Sequence, residues 1–587
     1  MIHYQITPAN PHGHLFDVTM TISHPAHEQQ LWLPAWLPGS YMVRDFAKNL
    51  IDIKAFNSQG MPLPLTQLDK QNWQISHCDD TVRITYQVYA WDLSVRTAFL
   101  DARRGFFNGS SVFLAARGLE QSEHSVEILP PSLPACSEWE VATRLKRASG
   151  NDWGFGRFYA ENYDELIDHP VEMGCFTRGS FEACGVSHDV ILAGRHHADM
   201  PRLCRDLQTI CEYQIQLFGT PAPFERYLFM TAVLDEGFGG LEHRASTALM
   251  CGRGDLPRVG QDNIDRGYRT YLSLCCHEYF HSWNVKRIKP ARFVPYELEA
   301  ESYTRQLWAY EGITSYYDDF ITYRAGLVDE TSYLEMLSET FTRVYRGAGR
   351  FKQSLTDSSF NAWTKFYQQD ENAANAIVSY YTKGALFALL LDLTLRQETQ
   401  GRYSLDDVMR RLWQEFGLTG TGTTDNSHQQ IVSTLLGRNC DELFAWLERA
   451  EDMPLAELLA QFGINMQLRA SSGNTDTGGT AEGLTVGFGA KYRAENVGVK
   501  IISVAEHSPA MTAGLSAGDL LIAADGLQAT ATLDKFLQQY QLGEQIELVW
   551  LRRDELMLGM LPITAAKADT VMLSITDADK AANWLKR

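Results

Sequence analysis

The first part of the chain alternates hydrophobic and polar residues with a period of two. The segments "HLFDVTMTIS", "DTVRITYQVYAW" and "SVFLAA" place β-forming residues between breaks rich in Pro, Gly and Asn. Successive side chains of a strand point to opposite faces of a sheet, so this alternation is typical of half-buried strands. The pattern predicts an all-β, sandwich-like domain over residues 1–175.

The spacing becomes helical near residue 198. "MPRLCRDLQTICEYQIQLFG" repeats its apolar residues at helical intervals and ends at a glycine, while "YLFMTAVL" is typical of a buried strand. Helical patterns dominate residues 300–465, including "TRQLWAYEGITSYYDDFITYRAG" and "AIVSYYTKGALFALLLDLTLRQ". We therefore expect an α+β, largely helical domain over residues 176–468.

A polar segment rich in Gly, Ser and Thr follows this helical part, and its composition predicts a linker over residues 469–481. Beyond it, "VGVKIISV", "LLIAADG" and "QIELVWLRR" are strand-like. These segments predict a separate β-containing module over residues 482–587.

Length and charge restrict the class of protein. A chain of 587 residues holds about three or four domains at ~100–200 residues each. The net charge of −20 argues against nucleic acid or an anionic membrane as partner. The composition says nothing about the oligomeric state.

No segment is typical of targeting or membrane insertion. The N-terminal residues lack a basic and an apolar signal region, and the longest apolar run, Gly384–Leu395, is interrupted by Asp392 and too short to span a bilayer. The ten cysteines show neither disulfide nor zinc-ribbon spacing, which favours reduced thiols. We expect a cytoplasmic protein without membrane contact.

The segment "LSLCCHEYFHSWNVKRIKP" carries the strongest chemical signal. His277 and His281 stand one turn apart, so they share a helix face and two neutral imidazoles can bind one Zn²⁺. Glu278 lies beside that face, where it can take a proton from a water bound to the metal. This is the H-E-x-x-H arrangement of zinc peptidases. The alternative is a chance motif whose histidines only form hydrogen bonds in a core.

A catalytic zinc site needs a third protein ligand and an open position. Glu311 lies in the aromatic segment "LWAYEGITSYY", with 29 residues between it and His281. An unpaired carboxylate is costly to bury, and a metal ion compensates its charge. The alternative is a glutamate facing solvent on an amphipathic helix.

Two other segments supply candidate substrate contacts. In "DEGFGGLEHRAST", Gly239 and Gly240 let the backbone approach a ligand, the extended residues can pair with a peptide, and Glu242 can bind its α-ammonium. In "SYYTKGALF", a tyrosine hydroxyl can donate to an oxyanion. A solvated glycine-rich turn and a packed tyrosine are the respective alternatives.

Together and in this order, "GGLEH", "HEYFH", "WAYEG" and "YTKG" resemble the gluzincin aminopeptidases, with their G-A-M-E-N, H-E-x-x-H, N-E-G and Y-x-K-G motifs. The longer gap before Glu311 and the replacement of the motif's asparagine by His243 resemble the PDZ-containing glycyl aminopeptidase family. "WLPGSYMVRDF" and "FFNGSSVF" resemble its β-domain, and "SPAMTAGLSAGDLLIAADG" resembles a PDZ signature.

The resemblance implies a thermolysin-like catalytic domain, a PDZ-like domain and a zinc aminopeptidase that releases N-terminal glycine or alanine from peptides. It implies these site residues: zinc ligands His277, His281 and Glu311; general base Glu278; amine anchor Glu242; and transition-state donor Tyr381, with Tyr380 as the competitor. Two alternatives are a zinc endopeptidase and a non-catalytic PDZ scaffold. The PDZ-like module binds C-terminal peptides or packs as a passive cap.

Overall fold

The computed structural model describes residues 2–586. The chain divides into two units: Met1–Ser302 with Trp413–Gly422, and Tyr303–Leu412 with Thr423–Arg587. Each unit is described separately below.

The first part of unit 1 is rich in β-strands, as the period-two pattern predicts. In β1, for example, Ile2, Tyr4 and Ile6 are buried while the residues between them are partly exposed. The strands are β1 (Ile2–Asn10), β2 (Leu15–Ser23), β3 (Gln29–Trp32), β4 (Leu50–Asn57), β5 (Pro62–Leu63), β6 (Leu65–Gln67), β7 (Asn72–Ile75), β8 (Thr81–Tyr89), β9 (Ala98–Leu100), β10 (Arg104–Phe107), β11 (Ala115–Ala116), β12 (His124–Ile128), β13 (Glu140–Thr143), β14 (Lys146–Arg147), β15 (Gly156–Ala160) and β16 (Val171–Gly174).

These strands form three sheets. The largest has the order β14-β15-β12-β1-β2-β8-β4-β5, and the others are β13-β16-β10-β9 and β11-β3-β7-β6. In the largest sheet β1 runs parallel to β12 and antiparallel to β2. Two short helices, α1 (Gly109–Val112) and α2 (Tyr163–Ile167), connect strands in this part.

The rest of unit 1 contains a five-stranded sheet and two long helices. The strands are β17 (Phe176–Ala183), β18 (Val186–Ala193), β19 (Arg226–Leu234), β20 (Phe238–Glu242) and β21 (Ser246–Gly252), in the order β17-β18-β19-β21-β20. Strand β20 is therefore an edge strand, antiparallel to β21.

Helices α3 (Met200–Phe218) and α4 (Arg266–Phe280) are joined to each other and to this sheet by buried polar contacts. Gln214 of α3 donates to the Cys276 carbonyl of α4 at 2.9 Å, and the hydroxyls of Tyr271 and Thr231 lie 2.7 Å apart. As the sequence predicts, α3 ends at Gly219, whose φ of 93° favours glycine. These contacts fix α4 relative to β19.

Unit 2 begins with helices, again as predicted. They are α5 (Ile313–Arg324), α6 (Glu330–Tyr345), α7 (Leu355–Phe360), α8 (Ala373–Ala376), α9 (Thr382–Glu398), α10 (Leu405–Leu412), α11 (Ser427–Leu436), α12 (Asp441–Phe444) and α13 (Leu455–Gln461). Helix α9 is buried on all sides from Lys383 to Leu395. Its Asp392 pairs with Arg396 at 2.9 Å and accepts from Tyr316 of α5 at 2.8 Å, which satisfies the buried carboxylate.

Short turns of other helix types occur in both units. The π-helical turns are Trp308–Gly312, Ala362–Phe366 and Trp413–Gly417, and the 3₁₀ turns are Phe46–Asn49, Pro134–Cys136, Arg253–Asp255, Ala291–Phe293, Ala348–Phe351 and Ala445–Leu447. No helix within residues 2–586 has both the length and the apolar character that a membrane span requires.

The last part of unit 2 is mainly β-structure. Its strands are β22 (Ile464–Ala470), β23 (Val486–Gly487), β24 (Ala490–Ala494), β25 (Val499–Val504), β26 (Leu520–Ala524), β27 (Leu527–Gln528), β28 (Gln545–Arg552), β29 (Glu555–Pro562), β30 (Thr564–Ala565) and β31 (Ala568–Ile575), and its helices are α14 (Pro509–Thr512), α15 (Leu533–Leu537) and α16 (Ala578–Leu585). The main sheet follows the path β24-β25-β26-β28-β29, while β22 pairs with β31.

The polar segment predicted as a linker makes specific contacts in the structure. Arg469 binds both carboxylate oxygens of Asp476, at 2.5 and 3.1 Å. Burial opposes ionisation of Asp476, but the hydrogen bonds from Arg469 and nearby backbone groups outweigh it and lower the pKa of this carboxyl. The predicted boundaries at residues 175, 468 and 481 stay predictions.

Candidate active site

The H-E-x-x-H residues lie in the last turn of α4. The side chain of Asp265 caps the start of this helix by accepting from the Tyr268 backbone N–H at 2.9 Å. The helix ends at Phe280, and His281 is its C-terminal cap with φ −60°. The imidazole centroids of His277 and His281 lie 4.6 Å apart, as expected for residues one turn apart.

His281 is held by a residue that the sequence analysis missed. The Asn284 carbonyl lies 2.7 Å from Nδ1 of His281, and a carbonyl only accepts, so Nδ1 carries the proton. In the neutral ring, Nε2 is then the acceptor atom. This contact fixes the tautomer and orientation that a metal-ligating histidine needs. Asn284 lies only three residues after His281, but it acts through its backbone carbonyl. Every residue has this group, so the sequence does not mark the contact.

Glu278 is buried beside the edge strand β20, with 5% of its surface exposed. Its carboxylate lies so close to the Cα of Gly240 that a Cβ at this glycine would overlap Oε1. Glycine is therefore needed at position 240 to make room for the carboxylate. Glu242, Glu278 and His281 each offer one donor atom, and the three atoms lie within 4.8 Å of one another.

Glu242 ends β20 and is also buried. Its carboxylate packs against Gly39, where a Cβ would overlap both carboxylate oxygens. Gly39 has a φ of 95°, a left-handed conformation that other residues rarely adopt. Gly39 belongs to the segment "WLPGSYMVRDF", so this glycine provides the close packing around Glu242.

The turn after Glu242 is fixed by a buried ion-pair network. Asp168 binds Lys286 Nζ at 2.6 Å and accepts from the backbone N–H of Arg244 at 2.9 Å. Burial opposes ionisation of Asp168, but the charges of Lys286 and Arg244 outweigh it, so the pKa of this carboxyl is well below its usual range. Burial lowers the pKa of the neighbouring His243 to about 4, so its ring is neutral at pH 7. The sequence analysis missed Asp168 and Lys286, because nothing in their local patterns marks a buried pair 118 positions apart.

Gly239 and Gly240 lie on β20, opposite Met250 and Leu249 of β21. Their strand forms the edge of the sheet, which is the position that peptide pairing requires. Arg96, from the loop between β8 and β9, donates from Nη2 to the Gly240 carbonyl at 3.0 Å. The sequence analysis did not identify Arg96.

In unit 2, Glu311 lies on the π-helical turn Trp308–Gly312 and is 2% exposed. The sequence predicted a regular helical segment here. The next residue, Gly312, meets Gly384 of α9 backbone to backbone, since a Cβ on Gly312 would lie 2.5 Å from the Gly384 Cα. Gly312 is the last residue of the π-helical turn, so the turn ends at this contact.

Tyr381 stands immediately before α9, whose first residue is Thr382. Tyr380 is completely buried, whereas Tyr381 keeps partial exposure. Burial, together with the nearby Glu311 carboxylate, raises the pKa of the Tyr381 hydroxyl well above its usual value. The hydroxyl therefore stays protonated at neutral pH and can donate a hydrogen bond.

Each unit thus holds its own part of the predicted residue set. Unit 1 brings together His277 and Glu278 of α4, its cap His281, and Gly239, Gly240 and Glu242 of β20. Unit 2 holds Glu311 and Tyr381 on elements that meet at Gly312 and Gly384.

Two family models match the chain. The Peptidase M61 N-terminal domain matches residues 3–175, and M61 glycyl aminopeptidase matches residues 270–387. The structure is similar to the crystal structure of the aminopeptidase N family protein from Idiomarina loihiensis, with 47% sequence identity, 100% of each chain covered and a TM-score of 0.98. The chain belongs to the M61 glycyl aminopeptidase family. This confirms the predicted resemblance and makes this M61 protein a metallopeptidase.

More distant likenesses are also found for this M61 protein. The M1 zinc metallopeptidase from Deinococcus radiodurans is 14% identical, covering 77% of this chain and 94% of that one, with a TM-score of 0.47. Legionella pneumophila aminopeptidase A in complex with aspartic acid is 12% identical, covering 76% and 48%, with a TM-score of 0.47. Among curated proteins none matches.

Proposed function

We propose that the protein is a zinc-dependent aminopeptidase that hydrolyses the first peptide bond of peptides, with a preference for N-terminal glycine or alanine. His277, His281 and Glu311 are the proposed ligands, because their side chains are of the types that hold catalytic zinc. The observation that carries the proposal is the grouping of donor atoms from Glu242, Glu278 and His281 within 4.8 Å, beside an edge strand.

The proposed ligand set fits zinc chemically. Two imidazoles and one carboxylate are a known set for catalytic zinc, and the Asn284 contact gives His281 the tautomer that presents Nε2. When bound, zinc polarises the substrate carbonyl as a Lewis acid and lowers the pKa of water.

Glu278 is the proposed general base. Its carboxylate takes a proton from the attacking water and passes it to the leaving amine, a role worth roughly 10²–10⁴-fold in rate. The packing of Glu278 against Gly240 supports this role, because it places the carboxylate at the strand along which a peptide would lie.

Glu242 is the proposed anchor for the substrate's α-ammonium. Its buried carboxylate lies at the end of β20, so a peptide bound there presents its first bond, not an interior one, to Glu278. Gly239 and Gly240 are the proposed backbone contacts of that peptide. Tyr381 is the proposed donor to the oxyanion; its partial exposure favours it over Tyr380.

The description of the matching family, glycyl aminopeptidase, supports the proposed preference for N-terminal glycine. An endopeptidase is the second candidate function, and it differs in the fate of blocked substrates. If Glu242 anchors an α-ammonium, N-acetylated peptides are poor substrates and Glu242→Ala slows free-amine substrates far more than blocked ones. Equal turnover of free and N-acetylated peptides by the unaltered protein would contradict the aminopeptidase proposal.

The central experiment combines metal analysis with turnover of glycyl and alanyl anilides. We expect one zinc per chain in the unaltered protein and in Glu278→Gln, with turnover at least ~10²-fold lower in the variant. In His281→Ala we expect metal analysis to show that zinc is lost and circular dichroism to show that the fold is retained. This result would support His281 as a zinc ligand. Turnover by the metal-free protein equal to that of the zinc-loaded protein would contradict it.

We also propose that residues 482–587 form a PDZ-like module that packs within the chain. The side chain of Asn474 donates to the Tyr492 carbonyl at 2.5 Å and accepts from its N–H at 3.2 Å, so it pairs with the outer strand β24. A free-carboxylate peptide adding to this edge must displace Asn474. Calorimetric titration of the full chain and of Asn474→Ala with such peptides tests this, and tight binding to the unaltered chain would overturn packing as the module's role.

A further inference from the structure

Arg96 reaches from the N-terminal β-region to the strand that carries the proposed peptide contacts. Its backbone N–H donates to Ser94 Oγ at 3.1 Å, which shapes the loop between β8 and β9. Its Nη2 donates to the Gly240 carbonyl at 3.0 Å. The guanidinium therefore sits beside the glycine that packs against Glu278.

The Gly240 carbonyl points to the open edge of the sheet. Thr247 of β21 donates to the carbonyl of Leu241 at 3.0 Å, so the Leu241 carbonyl faces β21. Successive carbonyls of a strand point in opposite directions, which directs that of Gly240 outward. Arg96 thus occupies a backbone acceptor that an added peptide strand would otherwise use.

The space in front of Gly239 is open except for this guanidinium. A Cβ on Gly239 would find one described non-neighbouring atom within 4 Å, Arg96 Nη1 at 3.8 Å. A peptide held at Glu242 and running back along β20 therefore meets a positive group at Gly239. Glu242 and Gly240 are two residues apart, ~7 Å along a strand, which is about the length of an extended dipeptide.

Among residues 2–586 no carboxylate forms an ion pair with Arg96, and the hydrogen bond of its guanidinium goes to the Gly240 carbonyl. Its Nε is buried and has no hydrogen-bond acceptor among these residues. A guanidinium is a rigid, permanently charged donor whose geometry matches a carboxylate.

We propose that Arg96 binds the free α-carboxylate of short peptides, so that the protein prefers dipeptides as substrates. This inference rests on the proposed function, because it takes the register of the substrate from Glu242 and Glu278. In a longer peptide or a C-terminal amide, a neutral amide stands where the carboxylate would be, and the charged interaction is lost.

The test compares alanyl-alanine with its C-terminal amide, with trialanine and with alanyl anilide. In the unaltered protein we expect kcat/KM for the free dipeptide to exceed that for its amide by about tenfold or more, as for a hydrogen bond between charged groups. Arg96→Ala should lose this ratio, and Arg96→Lys should keep part of it. Arg103→Ala, which removes an exposed arginine of a nearby loop, is the matched control.

A second readout separates this proposal from the proposed function. Binding of the free dipeptide and of its amide to Glu278→Gln, with and without Arg96→Ala, is measured by calorimetry. A preference for the free acid that disappears with Arg96→Ala supports the proposal even if the protein hydrolyses none of the substrates. If Arg96→Ala leaves the preference for the free acid over the amide unchanged, both in kcat/KM and in binding, the proposal is overturned. Arg96 would then only stabilise strand β20.

Discussion

The Glu278 carboxylate rests directly on the Cα of Gly240, and no side chain fits between the helix end and the edge strand at this point. Gly240→Ala should therefore displace the proposed base and lower kcat for aminoacyl anilides by at least ~10²-fold. Gly254→Ala, in the same unit and outside the proposed substrate contacts, is the control, because no described non-neighbouring atom lies within 4 Å of its Cβ position. Equal activities of the two variants would contradict the role of this contact.

Gly39 supports Glu242 in the same way. Gly39→Ala should push the Glu242 carboxylate aside and reduce kcat/KM for free-amine peptides about tenfold or more, with little effect on N-acetylated ones. Gly60→Ala is the matched control: Gly60 also has a positive φ, 79°, but no described non-neighbouring atom lies within 4 Å of its Cβ position. Both variants then place a side chain on a backbone with positive φ and carry similar strain. Only the Gly39 variant should change the preference for free-amine over N-acetylated peptides.

Tyr381 and Tyr380 are adjacent but differ in access. Removing one oxyanion donor typically lowers turnover by ~10²–10³, so Tyr381→Phe should lower kcat by this amount with a nearly unchanged KM. Tyr380→Phe removes a hydroxyl that is completely buried and should have a small effect on kcat. Steady-state kinetics of both variants decide the assignment, and a larger loss in Tyr380→Phe would reverse it.

His428 makes the stability of unit 2 sensitive to acid. Burial lowers the pKa of His428 to about 4, below the usual 6.5. Between these values the unfolded chain binds a proton that the folded ring does not, so the contribution of His428 to stability is present above pH 6.5. It falls as the pH drops toward 4, by a total on the order of 3 kcal/mol.

His428→Phe removes this titration and keeps an aromatic ring beside Trp308 and Tyr310, whose centroids lie 5.4 and 6.1 Å from that of His428. Its melting temperature should fall less between pH 6.5 and 4.5 than that of the unaltered protein, as measured by calorimetry. His12→Phe, at an exposed position, should keep the original slope. Parallel slopes for all three proteins would rule out this contribution.

Local patterns predicted much of the architecture. The alternation in "HLFDVTMTIS" marked β2, the glycine after "QIQLF" marked the end of α3, and the spacing of His277 and His281 placed their imidazoles one turn apart. Each of these features depends on neighbours within a few positions, where steric preferences are strong.

Local sequence patterns do not predict contacts between segments that are far apart in the chain. Gly39 and Glu242 are about two hundred positions apart, and Arg96 meets Gly240 through a carbonyl that any residue has. The π-helical turn at Glu311 ends at Gly312, where the backbone meets that of Gly384, and no local propensity encodes this contact. The sequence predicted these candidate residues but not the supports that position them.

The meeting of Gly312 and Gly384 has a consequence for how this protein can change. With bare backbone on both sides, the contact has no side chain that could re-adjust if either segment moved. A larger residue at either glycine would therefore displace the segment that carries Glu311 or the one that carries Tyr381. A substitution at Gly312 or Gly384 is therefore expected to disturb the proposed ligand Glu311 and the proposed donor Tyr381 together.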